Sequence, residues 1–154
     1  MEISSTLIGI IIFLLCASPI AYIIINSVGS QKKIKKAFTA LCIEKGMVLK
    51  EFEVIGKTVI GMDTTLKNVF FATSERPKET FEAIPITTLN SCYIRTHKPK
   101  NKPTELVELE LAGDGYKKEV VFYREDDEES GVTDSDICLH RARKWERLIK
   151  EQLQ

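Results

Sequence analysis

Residues 3–31 contain no charged side chain, although 29% of the chain is Asp, Glu, Lys or Arg and its formal net charge is zero. Every Lys and Arg lies beyond residue 31. A chain split in this way cannot fold as one evenly patterned domain. Within the charge-free part, residues 7–28 read LIGIIIFLLCASPIAYIIINSV. At about 1.5 Å per residue these roughly 22 positions would reach about 33 Å as a helix, enough to cross a hydrocarbon core. The run predicts a transmembrane helix over 6–28.

The leader Met1-Glu2-Ile3-Ser4-Ser5 has no basic residue, and the bulky Phe13, Leu14 and Leu15 precede Cys16. Neither a cleaved secretory signal nor a lipoprotein signal is therefore expected. Lys32, Lys33, Lys35 and Lys36 follow the span with nothing basic before it. The excess of Lys and Arg on cytoplasmic flanks predicts a single-pass protein of the cytoplasmic membrane, N-terminus outside and the rest cytoplasmic. No ionisable residue lies inside the span, which leaves an ion or proton pathway without support.

Residues 31–45 predict an amphipathic helix with Gly46 as its C-terminal cap. Ile34, Ala37, Phe38, Leu41 and Cys42 share one face and the four lysines lie opposite. Such a helix can lie on anionic headgroups or dock on the domain that follows, and the sequence leaves both open.

Residues 47–55, 57–62, 68–73, 80–86, 90–97, 105–112 and 116–125 are short runs rich in Val, Ile, Phe, Tyr and Thr, separated by turn formers. They predict an antiparallel barrel or sandwich. Val107, Leu109 and Leu111 alternate with Glu108 and Glu110, and Asp114-Gly115 suits a two-residue hairpin. That register sets Leu109 opposite Val120 and Val107 opposite Phe122, as core. It also sets Glu110 opposite Glu119, an unfavourable like-charge pair. The chain ends in a predicted helix capped at 134–136, with Ile137, Cys138, Ala142, Trp145, Leu148, Ile149 and Leu153 on one arc.

Seven strands in meander order, followed by one amphipathic helix carrying a Trp, resemble a pleckstrin-homology-like (PH-like) domain over 47–154. The whole chain is similar to small membrane-anchored bacterial proteins with such a domain. The resemblance implies an α+β fold: an N-terminal transmembrane helix, then a seven-stranded antiparallel PH-like barrel or sandwich closed by the C-terminal helix, with Trp145 as its core Trp. It further implies a protein-interaction role. The segment FEVIGKTVIG has only Lys57 where phosphoinositide-binding relatives carry several basic residues, so phosphoinositide recognition is not expected.

Catalytic patterns are absent from the sequence. His97 sits in the basic stretch RTHKPKNKP, and His140 projects beside Arg143 and Arg147, neither with a positioned partner. Cys16, Cys42, Cys92 and Cys138 form no CxxC pair, so no zinc or thioredoxin-type site is indicated. The acidic run REDDEESGVTDSD aligns Asp126, Glu128 and Ser130 with the first ligands of a calcium loop, but Ile137 stands where a bidentate Glu is required.

The functional expectation is a non-enzymatic, membrane-anchored module that binds a protein partner, with no cofactor or metal. The alternative is contact with an anionic lipid surface through Lys32, Lys33, Lys35, Lys36, Arg95, Lys98, Lys100 and Lys102. An enzyme with an unrecognised site is a distant third. Nucleic acid is not expected, because the 95–102 stretch lacks aromatic residues for stacking.

Overall fold

The computed structural model describes residues 5–63, 65, 67–101, 103–126 and 134–153. It divides into two compact units, Met1–Ala37 and Phe38–Gln154. The first is most of a single helix, α1 (Ser5–Glu44), which continues through Pro19. Ile10, Ile11, Ile12, Phe13, Leu14, Leu15 and Tyr22 are all exposed on it, as are Lys32, Lys33, Lys35 and Lys36.

Among the described residues, no helix is long and apolar enough to cross a membrane. The expected transmembrane helix over 6–28 is therefore not supported. The single-pass topology, the orientation and the cytoplasmic-membrane location derived from it lose their support as well.

The second unit contains two antiparallel sheets. The first has the order β1 (Glu51–Ile55), β2 (Thr58–Asp63), β3 (Asn68–Thr73), β4 (Glu82–Pro85). The second has the order β5 (Leu89–His97), β6 (Leu106–Gly113), β7 (Tyr116–Arg124). A one-turn helix, α2 (Pro77–Thr80), joins β3 to β4, and α3 (Ser135–Leu153) ends the chain. Gly56 and Gly115 take positive φ of 55° and 73° in the two tightest hairpins, a conformation that costs glycine little.

The expected seven-stranded antiparallel barrel or sandwich is corrected by this topology: the strands form two small sheets, of four and three, that share no ladder and close no barrel. The local cause lies between β4 and β5. Pro85 has no amide to donate, and Ile86–Thr88 forms a 3-10 turn that ends the ladder and starts a new direction. Residues 47–50, expected as strand, also stay outside the sheet. The Asp63 carboxylate accepts the Val48 amide at 2.9 Å and the Thr65 amide at 2.7 Å, which fixes this segment as a connection.

The core between the sheets gathers Ile60, Met62, Val69, Phe71, Val107, Leu109, Leu111, Val120 and Phe122. α3 packs Cys138, Ala142, Trp145 and Ile149 onto it. Asp134 starts that helix, its carboxylate accepting the Asp136 amide at 2.9 Å. Ile137, expected on the apolar arc, is instead 50% exposed. Trp145 is fully buried, and its indole Nε1 donates to Glu53 Oε2 at 2.8 Å, so the polar edge of the ring is satisfied where it meets β1.

The other face of the four-stranded sheet is covered too, which is why Val59 to Asp63 and Val69 to Ala72 are continuously buried. The cover is the end of α1. Phe38 and Cys42 are fully buried and Leu41 nearly so. The Phe38 ring lies 5.7, 6.4 and 5.5 Å from those of Phe52, Phe70 and Phe81. Gly61 allows this approach: a Cβ there would sit 2.8 Å from Phe38 and 2.6 Å from Leu49. The helix ends at Gly46 with a φ of 72°, and the Met47 amide reaches back to the Cys42 carbonyl at 2.9 Å.

Candidate functional site

The outer face of the three-stranded sheet carries a charged network fixed by register. Tyr93 pairs with Glu110 and Glu110 with Glu119; Arg95 pairs with Glu108. The Asp114-Gly115 hairpin therefore does bring Glu110 and Glu119 opposite each other, and Leu109 opposite Val120. A bulge after Val107 shifts the ladder, so that Val107 faces Tyr123 and not Phe122. Phe122 nevertheless remains buried in the core.

Cations placed between the carboxylates offset their repulsion. Arg95 Nη1 lies 3.4 Å from Glu108, 3.0 Å from Glu110 and 3.5 Å from Glu119. Lys117 Nζ lies 3.2 Å from Glu110 and 2.8 Å from Glu119. The Tyr93 hydroxyl donates to Glu110. That hydrogen bond is the largest cause of two shifts: Glu110 is held below the usual carboxylate range, with Lys117 and Arg95 assisting, and the Tyr93 phenol is pushed up.

Glu108, Glu110 and Glu119 each bring an oxygen within 4.8 Å of the others, a spacing that suits a cation. In this protein the guanidinium of Arg95 and the ammonium of Lys117 already stand among those oxygens. The chemistry of the cluster is that of an ion-paired surface.

A groove of about 330 Å³ opens where β7 passes the ends of β2 and β3. Lys118, Glu119, Val120 and Val121 form one side, and Thr58, Phe71, Ala72, Thr73 and Thr80 the other. A second, smaller cleft of about 70 Å³ lies between Ile55–Thr58 and the end of β7, from Val121 to Arg124. At the other end, Glu82 of β4 accepts hydrogen bonds from Lys118 and, at 2.9 Å, from the Tyr116 hydroxyl. The Lys118 contact is the main cause that lowers the Glu82 pKa.

Arg95 belongs to β5 and is committed to three carboxylates, whereas Lys98 and Lys100 are exposed on the loop after it. Lys102 lies outside the described residues. His97 is exposed, with Nε2 3.6 Å from Glu105, and His140 is exposed on α3. Lys32, Lys33, Lys35 and Lys36 belong to the first unit. Phe38 and Leu41, the apolar partners that the lipid-surface reading requires, are buried within the second.

Burial pushes the Cys42 thiol up to about 11, with Asp63 adding to it, and the Cys92 thiol up to about 12, so neither supplies a ready thiolate. Most of the acidic run examined for calcium, 127–133 and with it Glu128 and Ser130, lies outside the described residues.

Sequence reading missed the Tyr93–Glu110 and Tyr116–Glu82 bonds and the groove beside β7. Tyr93 and Arg95 alternate on β5 as Glu108 and Glu110 do on β6, and that shared period of two was the available signal. Comparisons with family models, curated proteins and solved structures return no match.

Proposed function

We propose that the unit Phe38–Gln154 is a non-enzymatic interaction module that binds a protein partner, in the manner the PH-like resemblance implies. The observation that carries this reading is the open seam between the sheets, where, among the described residues, β7 has a ladder on one side only and borders a groove. Edge strands present unpaired backbone donors and acceptors, the usual template for joining another chain. The groove is lined by Thr58, Thr73 and Thr80, by the apolar Phe71, Ala72, Val120 and Val121, and by Lys118 and Glu119.

A photo-reactive amino acid at Val121 of the full chain tests the reading, with a second at Lys98 as a distant control. Irradiation in cells should attach a protein at Val121. Attachment of a small molecule alone, or of nothing at either position, overturns it.

A further inference from the structure

We infer that the partner enters as a short extended segment that adds one uncharged, β-branched strand to the free edge of β7, a deepening that rests on the protein-binding reading. The backbone phase of β7 supports it. In a two-residue hairpin the residues flanking the turn form a hydrogen-bonded pair. Counting from Gly113 opposite Tyr116, the backbone groups of Tyr116, Lys118 and Val120 face β6, and those of Lys117, Glu119 and Val121 face the open side. The bulge then shifts the phase, in agreement with the Glu125 amide donating to the Glu105 carbonyl at 3.0 Å.

The regular free edge is therefore Lys117 to Val121, and the wide part of the groove runs along it. Past Val121 both features stop: the ladder bulges, and the lining of the larger groove ends where a separate, smaller cleft begins. A segment of about five residues, at roughly 3.3 Å each, matches this length.

The chemistry of the walls selects the occupant. Lys118 is bound to Glu82, Lys117 lies 2.8 Å from Glu119, and Lys57 lies 3.8 Å from Glu75. The rim's charges thus answer one another, and a charged segment would break a pair to gain one. Phe71, Ala72 and Val121 give an apolar floor, and Thr58, Thr73 and Thr80 a hydroxyl rim. Alternating Val and Thr side chains fit that arrangement.

The test uses the full chain and the blocked peptide acetyl-Thr-Val-Thr-Val-Thr-Val-amide, with versions in which Glu or Lys replaces Thr. The Lys117, Glu119 and Val121 amides should shift on titration, and both charged versions should bind at least tenfold more weakly. Because only alternate amides of an added strand face β7, N-methylation of one alternate set should abolish binding while methylation of the other leaves it. Loss in both or in neither, or unmoved β7 amides at millimolar peptide, overturns the inference.

Val121→Pro removes an outward amide and none of the β6 ladder. Thr58→Arg fills the groove and leaves the backbone of β7 alone. Each should weaken binding at least tenfold, and binding that survives both overturns the inference. A cellular partner that crosslinks from another face sinks strand addition but leaves the protein-binding module standing; capture of no protein sinks the module itself.

Discussion

The two sheets of the second unit solve the problem of their outer faces in opposite ways. The four-stranded sheet buries both faces along β2 and β3, the outer one under Phe38, Leu41 and Cys42 at the end of α1. The three-stranded sheet leaves its outer face to solvent, and covers it with Arg95, Lys117 and Tyr93 lying over Glu108 and Glu110. An aromatic cover resists loosening because its stabilisation comes from area removed from water. An ion-paired cover is screened by salt and titrates with pH, so the same number of residues holds it less firmly. The tolerant sheet is also the one with the free edge beside the groove.

The largest expected effect lies in the core both sheets share. Trp145→Ala should lose about 3–5 kcal/mol, through lost apolar burial and the cavity left behind, in denaturant unfolding followed by circular dichroism. A loss under about 1 kcal/mol would show that α3 does not hold the sheets together. Next comes the aromatic cover. Gly61→Ala drives a Cβ into Phe38 and Leu49 and should cost about 1–3 kcal/mol. The same change made on a Phe38→Ala background should cost clearly less. Equal costs on both backgrounds would mean that Gly61 is not there to admit Phe38.

Smaller still is the effect expected on the charged face. Glu110 has its carboxyl held low by Tyr93, Lys117 and Arg95. Its contribution is therefore complete above the ordinary carboxylate pKa of about 4.3, and is lost as pH falls through the lower folded value. Arg95→Met should destabilise the protein at neutral pH, and the gap from the unmodified protein should narrow as pH drops below about 4.3. A gap that does not change with pH would assign Arg95 to packing by its aliphatic stem. The smallest effect belongs to the loop: Lys98→Gln with Lys100→Gln should change stability by under about 0.5 kcal/mol. A larger change would mean that the loop is part of a cover.

Local pattern was legible in the sequence where neighbouring residues alone decide structure. The period of two in 107–111, the Asp114-Gly115 turn, the Gly46 cap and the spacing of Cys138, Ala142, Trp145 and Ile149 each depend on side chains a few positions apart, and each appears at that place. Apolar length also predicts a transmembrane span over 6–28, and the closely spaced strand runs a seven-stranded barrel or sandwich; both expectations are corrected by the structure.

Only the tertiary structure decided what depends on distant partners. Whether the ladder passes from β4 to β5 turned on Pro85 and the 3-10 turn after it, and the direction of that turn is a property of the packed sheets. Whether Phe38 faces lipid or protein turned on Gly61, Phe52, Phe70 and Phe81, residues 14 to 43 positions away that no helical projection contains. Whether Glu110 opposite Glu119 is a liability turned on Arg95, which reaches them from the far strand. A sequence states its periods directly, because they are set by backbone geometry. It states contacts only through the fold that brings their partners together.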